Sequence, residues 1–153
     1  MSMADLQEAL RLIAGNASRG FFAGPRDPAL VAAAERALGG DLSPTYGEFV
    51  KKLGAGNFGT FEIYGVVDDE FEDSSVPNGV WLTLNERREN GLSSKLIIVG
   101  STGDGDYYCI EQRGGEESPV IVCQTGVPLE RQHGEEVAQD FGEFLLYRVR
   151  DEI

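Results

Sequence analysis

Residues 95–124, KLIIVGSTGDGDYYCIEQRGGEESPVIVCQ, decide the fold. Residues 95–100 read as an apolar strand able to be buried on both faces. Residues 106–112 and 120–124, rich in Tyr, Ile, Val and Cys, read as two more strands. The link at 100–106 carries Asp-Gly, the favoured chemistry of a tight turn, and RGGEESP makes the second turn. Strands joined this closely pair antiparallel, because a parallel pair needs a crossover of a dozen residues or more.

Working outward, residues 57–67 alternate Phe58, Thr60, Glu62 and Tyr64 with Gly59, Phe61, Ile63 and Gly65, and read as a fourth strand. Residues 68–79 form an acidic loop ending in Pro-Asn-Gly, and 80–90 read as a short strand or turn running into a short polar helix. Three helices precede this block. One spans 4–14 with Leu6, Leu10 and Ile13 on one face. The second starts at the Asp27 cap with Pro28 in first position, and the third at Ser43 with Pro44. Between the first two, Phe21 and Phe22 are expected to dock on the body. After the strands, TGVPLERQHGEE reads as a polar connection, and Asp140 with Glu143 makes a capping box for a last helix. Helices segregated from strands predict an α+β fold, with an antiparallel sheet of about four to six strands and helices on one face. The chain reads as one globular unit: a helix-and-loop extension over 1–26 and the domain proper over 27–153.

The 153 residues include 26 Asp plus Glu against 13 Lys plus Arg, for a net charge of −13. A chain this long buries about two-thirds of its surface and needs no staple. A hydrophobic content of 41% excludes disorder. No apolar run reaches membrane-spanning length, and MSMADLQEAL lacks the pattern of a secretory signal, so the expected location is the cytoplasm. A strongly negative field repels phosphate backbones and anionic lipid, which argues against direct contact with nucleic acid or membrane. The same field attracts a basic protein. Cys109 and Cys123 are expected to be reduced thiols filling strand interiors.

Residues 100–106 lack the Lys-Ser/Thr pair of a phosphate loop and lead into a strand. Asp104 and Asp106 lack the third ligand and closing Glu of a calcium loop. His133, the only histidine, has no nucleophile beside it, and there is no Gly-x-Ser-x-Gly elbow, so a surface role is expected. An enzyme built on His133 would need a concave pocket with an acid in reach. Two thiols and one imidazole fall short of a zinc set. No catalytic residue, metal or cofactor is expected. Asp68, Asp69, Glu70, Glu72 and Asp73 read either as a solvated loop or as a docking surface for a basic protein. In the docking reading Phe71 and Trp81 are apolar anchors, although Trp81 reads equally well as a core residue. Glu116 and Glu117, in the strand turn, complete the candidate contacts.

Several pieces occur in a telling order: Ala34-Glu35-Arg36-Ala37-Leu38-Gly39; Leu42-Ser43-Pro44-Thr45-Tyr46-Gly47-Glu48-Phe49-Val50; a strand ending Ile63-Tyr64-Gly65; and Val80-Trp81-Leu82-Thr83 with Arg87. Gly103-Asp104-Gly105-Asp106-Tyr107-Tyr108, Pro119-Val120 and Asp140-Phe141-Gly142-Glu143-Phe144-Leu145 follow. Together, over residues 27–148, they resemble the SUKH superfamily, which includes the Smi/Knr-type domain. Leu42-Ser43-Pro44 departs from that group's usual Leu-Pro by one residue, and the first 25 residues lie outside the common core.

The resemblance implies a SUKH-like fold without catalytic chemistry that works by binding proteins. Bacterial members are intracellular antidotes to polymorphic toxins, many of which end in nuclease or deaminase domains. The fungal relative regulates cell-wall synthesis and signalling. The expectation is therefore an immunity protein that neutralises a cognate toxin, a basic nuclease, by stoichiometric occlusion. The alternative is a regulatory interaction scaffold of the Smi/Knr type. The chain itself is expected to be a monomer or a weak homodimer paired through an exposed strand edge.

Overall fold

Helix caps fall where the local chemistry puts them. In the computed structural model, which describes residues 2–153, Asp27 accepts the Ala29 N–H at 2.8 Å and α2 (Pro28–Leu38) ends on a left-handed Gly39. Asp140 accepts the Glu143 N–H at 2.9 Å to open α5 (Phe141–Asp151), while the Glu143 carboxylate takes the Gln139 N–H. Ser43 does not cap α3 (Pro44–Leu53), and its buried hydroxyl has no partner among the described residues. Glu117 caps the helix from the strand turn instead, accepting both the N–H and the hydroxyl of Thr45 at 2.9 Å.

The strands form two antiparallel sheets rather than the single one expected. β1 (Gly20–Phe22), β2 (Gly56–Phe58) and β3 (Phe61–Ile63) make one. β4 (Leu96–Ser101), β5 (Tyr107–Glu111), β6 (Val120–Cys123) and β7 (His133–Ala138) make the other, in sequence order. A backbone bond from Tyr64 N–H to the Val99 carbonyl (2.9 Å) ties the end of β3 to β4. Residues 57–67 are not one strand. Gly59, at φ +59°, supplies the positive φ of a two-residue turn, which folds the stretch into the β2–β3 hairpin. Phe22 docks edge-to-face on Phe49 as expected, but Phe21 points outward and is 76% exposed.

α1 (Ser2–Gly15) lies along α5 and buries Leu6, Ala9 and Ile13 in the main core, and β1 pairs with β2. Residues 2–26 are thus built into the same core as the rest. That core sits between α1, α2, α3, α5 and one face of the strands, with Tyr46, Phe49, Phe141 and Phe144 among its side chains. A second cluster on the opposite face holds Leu82, Leu92, Leu96, Ile98 and Ile121. β4 feeds both, Ile97 and Val99 to one and Leu96 and Ile98 to the other, so it is buried on both faces as read.

Two elements differ from expectation. Residues 80–84 are not strand; they belong to α4 (Gly79–Glu89), which runs along the otherwise open edge of β4. The Thr83 hydroxyl accepts the Ile98 N–H (3.0 Å), and Arg87 donates to the carbonyls of Leu96 (3.1 Å) and Leu38 (2.7 Å). An edge helix touches both cores, Val80 one and Leu82 the other, so it carries no single apolar stripe. β7 arises within the polar stretch because it is the other edge strand. Residues 133–136 are exposed, so backbone pairing to β6 defines the strand without apolar alternation.

Cys109 and Cys123 are joined by a disulfide rather than standing as separate thiols. Cys109 pairs with Ile121, two positions from Cys123, so both side chains share a face, with Cα atoms 6.3 Å apart. Among the described residues no helix is long and apolar enough to cross a membrane.

Candidate functional site

The acidic loop is held from inside by one side chain. Asn78, 1% exposed, caps α4 by accepting the Trp81 N–H at 3.1 Å. Its amide nitrogen faces the Asp68 carboxylate, the Glu70 carbonyl and the Ser74 hydroxyl at 3.3–3.4 Å. Asp68 also accepts the Glu70 N–H at 3.0 Å. The loop ends meet where Gly65 N–H donates to the Pro77 carbonyl and Gly79 N–H to the Gly65 carbonyl. Pinned this way, Asp68, Asp69, Glu70, Glu72 and Asp73 are all exposed to solvent. Glu72 reaches Arg88 of α4 at 3.5 Å, a contact between exposed groups and so worth little.

The candidate anchors are less free. Phe71 is half-buried against the main core, and Trp81 is half-buried against the second cluster. Glu116 is exposed, whereas Glu117 is committed to Thr45. The turn that carries both lies beyond the C-terminal end of α2, where Gly115 sits against Asp41. The acidic loop lies at that helix's N-terminal end, beside Asp27 and Leu30. The two acidic groups are therefore separated by the length of an 11-residue helix, about 16 Å, and do not form one face.

Beside the loop is a groove of about 470 Å³, which the sequence reading missed. Leu30 and Ala33 of α2 and Val67 line it, with Asp27, Asp68 and Asp69 around them. Each signal was present in the sequence, Asp27 as a cap and Leu30 as a face residue, but only the tertiary fold brings α2 against residues 67–69. Arg26 lies beside this rim without pairing to it: its guanidinium donates to the carbonyls of Ala23, Gly24, Pro25 and Val67, neutral acceptors that leave its positive charge in place.

A second cleft, about 360 Å³, opens between the β2–β3 hairpin, the turn after β4 and the end of α5. Arg148 lies over the rings of Phe61, Tyr108 and Phe144, 4.8–5.4 Å from their centroids, and donates to the Tyr108 hydroxyl. His133 is exposed on β7. Among the described residues no group of three or more His, Cys, Asp or Glu side chains is placed to hold a metal.

Phenols report on the fold around these sites. Tyr107 donates to the buried Glu86 at 2.8 Å, and burial, then Glu86, pushes it up to about 12. Burial also raises Tyr46, which donates to the Tyr64 carbonyl, and Tyr64, on which Glu62 acts as well. All three lie above the unfolded value of about 10, so their neutral forms favour the fold at full strength below that pH. For Tyr107 that contribution is lost as pH rises from about 10 through its folded value. An alkaline titration is expected to show these three ionising late and together with loss of circular dichroism. Complete phenolate absorbance by about pH 11 with helices intact would contradict this environment.

A search of curated proteins returns no match to this chain. The SUKH_6 family, described as SMI1-KNR4 cell-wall, matches residues 28–145, from the first turn of α2 into α5. The match takes in the acidic loop, the groove apart from Asp27, and both sheets apart from β1. With that arrangement of helices and antiparallel strands over well more than half its length, the chain belongs to the SUKH_6, SMI1-KNR4 family.

Proposed function

We propose that the chain is an immunity-type protein that binds a cognate protein toxin, a nuclease with a basic cleft, and neutralises it by stoichiometric occlusion of the active site. One observation carries this reading: a loop fastened from inside by the buried Asn78 presents five exposed carboxylates on a molecule of charge −13. Membership of a generally non-catalytic family supports a binding role over an enzymatic one. In the proposed mechanism Asp69, Glu70, Glu72 and Asp73 stand in for the phosphates of the toxin's substrate. The edge of Phe71 supplies apolar contact, and the negative field speeds encounter. The proposed site of action is the cytoplasm, where the Cys109–Cys123 pair is expected to be kept as thiols despite the disulfide in the structure; a disulfide trapped in freshly alkylated cell lysate would argue against that compartment.

The test is the double reversal Asp69→Lys with Glu72→Lys. Against a toxin recovered by pull-down and cancelled at one-to-one mixing, the expected result is about a hundredfold weaker binding and a flatter salt dependence. Unchanged affinity and unchanged salt dependence would discard this face. The family's cell-wall description favours a second reading, a regulatory scaffold. Retention of only signalling or wall-synthesis proteins in the same pull-down would select it.

A further inference from the structure

The groove beside the acidic loop carries a narrower inference, which rests on the reading of that loop as a docking surface. We infer that the groove between the first two turns of α2 and residues 67–69 receives one arginine or lysine side chain of a protein partner. Its floor is apolar: Leu30, Ala33 and Val67 are half-buried and covered by nothing else in the chain. Its rim is anionic. Asp27, Asp68 and Asp69 are exposed, and among the described residues none of them forms an ion pair. Asp27 accepts from Ala29, and Asp68 from Glu70 and Asn78, while no described residue donates to the Asp69 carboxylate. A carboxylate has about four acceptor positions, so each of the three keeps capacity for an incoming donor. The adjacent guanidinium of Arg26 is turned to backbone carbonyls and forms no ion pair with the rim, so three carboxylates face its single charge and the rim stays net negative.

The two halves of the groove select the occupant together. A purely apolar side chain would bury against three unpaired carboxylates, and an anionic group would be repelled by them. A small inorganic cation would leave the apolar floor unused. A second copy of this chain would bring a charge of −13 to an acidic rim. Arginine and lysine combine a hydrocarbon stem with a cationic head, and their stems lie along apolar surface while their heads reach charge and water. The stem would lie over Leu30, Ala33 and Val67, and the head would meet Asp68 and Asp69. Asp27, at the helix cap, offsets the positive end of α2 beneath it.

Backbone amide NMR on the full chain tests this, with Nα-acetyl-arginine amide at tens of millimolar as the probe. Guanidinium chloride supplies the head without the stem, and Nα-acetyl-norleucine amide the stem without the head. Saturable shifts centred on Leu30, Ala33, Val67 and Asp69 are expected with the arginine probe, at least fivefold weaker with either control. Ala33→Lys, which sets a resident cation in the groove from its half-buried floor, is expected to weaken the arginine probe at least tenfold. Equal response to guanidinium and to the arginine probe would overturn the groove as a side-chain site. Saturable shifts confined to residues 70–73 would overturn it while leaving the loop reading standing. Saturation in the groove, together with toxin binding indifferent to the Asp69 and Glu72 reversal, would keep the groove and remove the loop reading. No saturable shift anywhere would overturn the groove, leaving the loop to be judged by that reversal alone.

Discussion

Replacing Phe141 with alanine is expected to remove about 3–5 kcal/mol of stability, read as a fall in the urea midpoint at unchanged slope. Phe141 is fully buried at the start of α5, where its ring meets Tyr46 at 4.9 Å, Phe49 at 5.4 Å and Phe144 at 6.2 Å. The site has little freedom to close over a void. The Asp140 cap fixes one side of it, and the Gly142 N–H donates to the Thr45 hydroxyl at 3.2 Å on the other. The backbone of α5 also passes so close to Ser2 and Thr45 that a Cβ at Gly142 would overlap the Ser2 carbonyl. A cavity opened between fixed elements keeps most of its volume, which is the condition for a cost at the upper end of the range. Phe141→Leu, which retains much of the volume, is expected to cost under half as much. A loss below about 1 kcal/mol for the alanine variant would mean that the aromatic cluster is not packed as described.

Gly65→Ala is expected to cost at least about 3 kcal/mol, through crowding instead of a void. A Cβ there would overlap the carbonyl oxygen of Gly54, a backbone atom that cannot swing aside as a side chain does. That oxygen is itself held by the Val66 N–H at 3.0 Å. Gly65 cannot retreat either, since its N–H donates to Pro77 and its carbonyl accepts from Gly79. The same substitution disturbs the bonds that close the acidic loop, so the partner binding proposed above should weaken even where the variant remains folded. Gly15→Ala is the control: open space surrounds that position at the end of α1, and the change should be neutral or slightly stabilising. Equal urea midpoints for the two variants would refute the close approach.

The parts of this fold that were legible in sequence are short-range: the Asp27 and Asp140 caps have partners only two or three residues away. Gly65 is different, read only as a strand residue and a piece of a family pattern, because the backbone it touches is eleven positions away at Gly54. What was not legible depends on distant neighbours. α4 satisfies the edge of β4 with Thr83 and Arg87 and touches both cores, so its pattern mimics no isolated helix. β7 is wet on both sides along residues 133–136 and has only β6 to define it. The cap on α3 comes from Glu117, 72 positions away, which turned an expected partner contact into a structural one. The acidic loop was legible as charge; the groove beside it was not, because its walls meet only after α2 has packed.

Apart from Asp68, which does both, the atoms that hold the acidic loop and the atoms it presents belong to different side chains. Asn78 and the backbone of Gly65, Pro77 and Gly79 do the holding, while Asp69, Glu70, Glu72 and Asp73 make no contact more demanding than the pair with Arg88. Exposed substitutions of that kind usually change stability by less than about half a kcal/mol. The loop's charge pattern can therefore be rewritten one residue at a time with the scaffold intact. If the loop docks a partner as proposed, a lineage could change what it recognises without having to solve folding again.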